Sequence, residues 1–125
     1  MTPAFWCVFV AGLLPYVCAV IAKAGKRDFD NSRPREWLTK QEGYRQRANA
    51  AQMNSFEAFP FFAAAVIIAH VLHGPQPLVN LLAFVFIAAR VIYIALYLSN
   101  KATLRSLVWS VGLFSVIGIF IVASL

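Results

Sequence analysis

Residues Pro3 to Ala22 carry no charged side chain. A helix of about twenty residues is ~30 Å long, the thickness of a bilayer's hydrocarbon core. Three more runs of similar length follow, at roughly 48–72, 78–98 and 104–124. In lipid every backbone N–H and C=O needs a partner within the protein, which leaves helices or a closed barrel. None of the four runs shows the strict alternation of a barrel strand. The expectation is an all-α membrane protein, one four-transmembrane-helix bundle over residues 1–125. Composition agrees, with 61% apolar and 13% charged residues, against about half and a quarter in soluble domains. The first run is not a typical signal peptide, because positive charge follows it rather than precedes it. "HGPQP" (73–77) and "SNKAT" (99–103) are the expected turns, with Thr103 placed to cap the last helix.

Charge sets the expected orientation. Eight of the eleven Lys and Arg fall in one basic loop, 23–47. Lys101 and Arg105 mark the turn between the third and fourth spans, and the "HGPQP" turn has no charge. The positive-inside rule then puts both basic segments in the cytoplasm and both termini outside. With no soluble face to carry a groove, the net charge of +6 does not point to nucleic acid. Cys7 and Cys18 lie three helical turns apart in the first span, too far to pair, and read as small buried residues.

The chain also puts charge where lipid is expected. Glu57 sits inside "AQMNSFEAFPFF" (51–62) and Arg90 inside "ARVIYIALY" (89–97). Such a side chain at the centre of a lone helix costs roughly 2.5–3.5 kcal/mol. Asn54 and Glu57 share a helical face, and Arg90, Tyr93 and Tyr97 form a stripe. Arg105 and Ser106 open the last span. A bland reading is that Glu57 and Arg90 neutralise each other and pin the packing. Likewise, Tyr97 fits an interfacial aromatic belt, and His70 and His73 read as interfacial residues rather than metal ligands. The sharper reading is a site for a zwitterionic or anionic solute. A carboxylate holds an ammonium group, arginines hold carboxylates, and hydroxyls orient the middle of the molecule.

On these residues the chain resembles the family of membrane-associated proteins in eicosanoid and glutathione metabolism, as a bacterial-type member. That family includes leukotriene C4 synthase and the microsomal glutathione transferases. The likeness is sharpest in "RANAAQMNSFEAFPFF" (47–62) and "ARVIYIALYLSNKATLRS" (89–106). It implies a homotrimer in a bacterial inner membrane, with glutathione as co-substrate bound between subunits near the cytoplasmic side. By position, Asn54 and Glu57 would hold the γ-glutamyl end, Tyr93 and Tyr97 would line the tripeptide, and Ser106 would sit beside Arg105; Arg90, on the tyrosine stripe, is a further candidate for binding glutathione. Arg105 matches the arginine that stabilises the thiolate. Gln52 matches a glutathione contact too, but points away from Glu57 and would serve the neighbouring subunit. Lys23 or Lys26 stands where the family has an arginine. Two positions depart from the pattern: Ala50 replaces an arginine of the eicosanoid members, and Ala58 a tyrosine.

The activity so implied is a glutathione-dependent transferase or peroxidase acting on lipophilic electrophiles or hydroperoxides. Two other functions fit the same residues less fully. One is a non-enzymatic lipid-binding or scaffold member of the fold. The other is a small proton-coupled exporter, against which the arginine and tyrosine stripe suits an anion better than a cation.

Overall fold

The computed structural model describes all 125 residues. It is all-helical: α1 Pro3–Lys23, α2 Pro34–Thr39, α3 Tyr44–Val71, α4 Gln76–Leu98 and α5 Ala102–Ser124. Four of these, all but α2, are long and apolar enough to cross a membrane.

Local chemistry sets the helix ends. Thr2 caps α1, its hydroxyl accepting from the Phe5 amide at 3.2 Å, and Pro3 occupies the first turn. α3 stops where His73 takes φ 54°, and the Gly74 amide reaches back to the Ala69 carbonyl at 2.9 Å. A Cβ at Gly74 would stand 3.3 Å from the Ala123 Cα and from the Ala69 oxygen, so a side chain there would press on backbone at the turn between α3 and α4. Asn100 does the same for α4 at φ 61°. The chain re-enters helix at Ala102, so Thr103 lies inside α5 and caps nothing; Lys101 holds the cap position without a side-chain bond. The link between α4 and α5 is three residues, Ser99, Asn100 and Lys101.

α3 starts at Tyr44, before the apolar run, because its arginines find partners across the bundle. Arg45 donates to the Ala22 carbonyl at 3.0 Å and Arg47 to the Leu98 carbonyl at 3.1 Å. Both cap the ends of neighbouring helices with a cation, where helix dipoles favour one.

α1 packs chiefly on α3 and α4 on α5, while α3 also touches α4 and α5. The core between them is rich in small residues: Ala4, Cys7 and Ala11 of α1, Ala65 and Ala69 of α3, Ala83 of α4. Small side chains let helices approach closely, which drives packing where lipid removes the usual hydrophobic gain. Phe62 and Phe86 stack at 4.0 Å through the centre. Asn80 joins α4 to α1 by accepting from the Ala4 amide at 3.1 Å. Cys7 and Cys18 are both buried and free. Trp6, Phe9, Phe84 and Phe114 point outward, as expected of an integral membrane protein.

Candidate functional site

Asn54, Glu57 and Arg90 come together around one cavity of about 230 Å³ between α3, α4 and α5. Its remaining walls are mostly apolar: Ala58, Phe61, Phe86, Trp109, Leu113 and Val116, with Gly112. The Asn54 and Glu57 spacing presents both to the same gap because they stand one turn apart on α3. Arg90 reaches it from α4.

Arg90 is the unusual group. It is only 3% exposed, yet it forms no ion pair; the only two in the chain join Arg33 and Lys40 to Glu36. The neutralising pair of Glu57 with Arg90 is therefore not made. The two charges line the same cavity without touching, which keeps room between them. Arg90 has one hydrogen bond, to the Ser55 hydroxyl at 3.3 Å, and lies 4.3 Å from the Tyr93 ring centroid. A cation over a ring contributes ~0.5–2 kcal/mol, less than the several kcal/mol that burying an ion costs. Asn54 adds a second unmet demand, for its side-chain oxygen is buried with no hydrogen-bond partner.

The tyrosine stripe carries this polarity toward the loop end of the bundle. Tyr93 meets Tyr97 edge-on at 5.6 Å, and the Arg105 guanidinium lies 4.2 Å over the Tyr97 ring. Arg90, Tyr93, Tyr97 and Arg105 thus form one continuous line from α4 to the start of α5. Ser106, next to Arg105, is exposed.

Gln52 and Lys23 lie elsewhere. Gln52 lines a second groove of about 500 Å³, with Arg35, Leu38 and Thr39 of α2 and Asn49, Met53, Phe56 and Glu57 of α3. Gln52 and Glu57 stand ~140° apart around the helix, so they occupy opposite rims and Glu57 borders both spaces. Although helix geometry turns the two residues apart, a single groove reaches both. The Gln52 side-chain oxygen is buried and unpartnered as well. Lys23 lines neither space; its ammonium sits 5.0 Å over the Phe29 ring.

Three contributors escaped the sequence reading. Ser55 lies among the polar residues of α3 but faces α4, so only the packing reveals it. Trp109 reads as core in an apolar run. Arg35 belongs to a loop whose short helix carries no long periodic signal.

A family model, that of the MAPEG family, matches residues 3–125. No curated protein sequence matches the chain.

Proposed function

The chain belongs to the MAPEG family, and on that premise we propose that it is a membrane-bound glutathione-dependent transferase or peroxidase acting on lipophilic electrophiles or hydroperoxides. One observation carries the reading: Glu57 and Arg90, both without an ion-pair partner, border one cavity inside the bundle. An amino-acid group fits that pair, ammonium toward Glu57 and carboxylate toward Arg90. The unpartnered Asn54 oxygen gives the ammonium a further acceptor. The γ-glutamyl end of glutathione has this arrangement of charges.

Bound glutathione supplies a thiol whose thiolate is the nucleophile or reductant. A free thiol titrates near ~8.5, so only a few per cent is thiolate at neutral pH. Arg105 holds a fixed positive charge at the open end of the tyrosine stripe, and that charge favours the ionised thiol. Tyr93 and Tyr97 line the path between the two arginines, and Ser106 stands ready to orient a polar group. Phe61 and Trp109 are exposed on the outer face of the cavity, which gives an apolar partner a way in from the bilayer.

The assembly belongs to the same proposal. Asn49 and Gln52 make part of the outer face of α3 polar, and a lone protomer would turn that face to lipid. A homotrimer covers it. The basic loop and the α4–α5 turn are assigned to the cytoplasm and both termini to the other side. A second reading, a binding member without turnover, is favoured by Ala50, where the resemblance calls for an arginine.

Calorimetry of the purified protein with glutathione tests the main reading. Binding should be measurable, and Glu57→Gln should weaken it roughly 10- to 100-fold, the effect of one charge-assisted hydrogen bond. Absence of heat in the wild type sinks the proposal. Binding without turnover of an aromatic electrophile above the solution rate selects the second reading.

A further inference from the structure

Glu57 and Arg90 bring opposite charges to one cavity and still form no ion pair. In a low-dielectric interior such charges attract strongly, so something holds the guanidinium back. Its one hydrogen bond runs to the Ser55 hydroxyl at 3.3 Å. Ser55 and Glu57 stand ~160° apart around α3, and the bond therefore draws Arg90 toward the flank of α3 opposite the carboxylate. The Tyr93 ring, 4.3 Å from the guanidinium, is the second contact.

Ser55 behaves unlike the serines of α5. Ser110, Ser115 and Ser124 turn their hydroxyls to carbonyls of their own helix, at Ser106, Gly112 and Ile121. That is a common habit of a serine inside a helix. Ser55, 4% exposed, bonds across to α4 instead. Its neighbour from α1 is the fully buried Cys18, whose sulfur lies beside the hydroxyl and is a weak acceptor for its proton. The hydroxyl oxygen is thus left to accept from Arg90.

α1 contributes no residue to the wall of the large cavity. Its part is to brace the residue that holds Arg90. A space of about 10 Å³ lies on that side, bordered by Ala11, Leu14, Ser55 and Arg90 among others. It is at most the size of a single water, so no solute reaches Arg90 from there. The guanidinium N–H groups not spent on Ser55 are left to the large cavity.

We propose that Ser55, braced by Cys18, is a positioning residue that holds the Arg90 guanidinium off Glu57 and keeps the cavity open to the amino-acid end of glutathione. The proposal rests on the glutathione reading above. Without the hydroxyl, Arg90 turns to Glu57, and the pair that recognises the ligand neutralises itself. Glutathione then has to break an ion pair before it binds.

The test combines calorimetry with glutathione and thermal unfolding of the ligand-free protein. Ser55→Ala should bind glutathione about tenfold more weakly, the scale of one charge-assisted contact, while its thermal midpoint stays level or rises. Ser55→Thr keeps the hydroxyl and should bind within about threefold of wild type. In a Glu57→Gln background no carboxylate competes for Arg90, so adding Ser55→Ala should change affinity by less than about threefold. Unchanged glutathione binding by Ser55→Ala overturns the proposal and leaves the glutathione reading intact. A loss that persists in full in the Glu57→Gln background also overturns it, as does one accompanied by a lower midpoint, because either marks a residue that only supports the packing. A wild type that binds no glutathione removes both proposals together.

Discussion

On the proposed function Arg105 and Glu57 serve different steps, and their variants should separate those steps. If Arg105 stabilises a thiolate, its charge matters more to the ionised ligand than to the neutral one. Arg105→Ala should keep glutathione binding within several-fold, raise the pKa of the bound thiol, and slow conjugation. A loss of ~2 kcal/mol, ordinary for one electrostatic donor, is a rate drop of roughly thirtyfold. Glu57→Gln should weaken binding, with less effect on the chemistry of the ligand that still binds. Thiolate absorbance against pH, beside turnover of an aromatic electrophile, reads both variants; loss of binding alone in each would leave Arg105 without a chemical role. Arg90 offers a third contrast. A buried ion without a counter-charge burdens the fold, and an apolar residue of similar volume often replaces one at no loss of stability. Arg90→Met should therefore leave the thermal midpoint unchanged or higher while glutathione affinity falls. A lower midpoint with affinity intact would make Arg90 a packing residue. The charges at 57 and 90 were legible in the sequence because a charge inside an apolar run is costly wherever it sits, whereas Arg105, at a helix start, was singled out only by the family resemblance. Ser55 was not, since a serine in a membrane helix has no such cost and its role depends on which helix it faces.

At the scale of helices, the four spans were legible because lipid permits so few alternatives. The start of α3 was not, because Arg45 and Arg47 enter the helix by capping carbonyls on α1 and α4, a tertiary event. α2 was also missed. Six residues are too few for a periodic pattern, and an isolated helix of that length is unstable in water. Docking holds it instead, through Trp37 and Leu38. Trp37→Ala should thus release the segment between α1 and α3 and leave the bundle standing. Limited proteolysis should cut the variant between residues 24 and 43 much faster than wild type, with helix content by circular dichroism falling only slightly. Equal cleavage of both proteins would mean that Trp37 does not anchor α2.

The whole molecule raises the question of how many chains make one site. The outer face of α3 presents Asn49, Gln52 and Glu57 along a groove that no other spanning helix covers. Polar side chains in that position are costly against lipid and inexpensive against a second copy. Native mass measurement in detergent should find three chains. A stable monomer that binds glutathione would rule out a shared site. Assembly alone does not prove sharing, but mixed assemblies do. Gln52→Ala chains keep Glu57, and Glu57→Gln chains keep Gln52. If both residues must come from one chain, no mixture of the two variants contains an intact site. If Gln52 reaches the ligand of its neighbour, an interface is intact whenever the two variants meet in the right order. In a random equal mixture around a closed ring that is about a quarter of the interfaces. Calorimetry of the co-assembled protein should then show tight glutathione binding at about a quarter of the wild-type stoichiometry, although each variant alone shows none at that affinity. The amount of tight binding should peak at equal proportions and vanish toward either pure variant, a dependence that contamination with wild type cannot imitate. A mixture that binds no better than the average of its two components would return Gln52 to the site of its own chain.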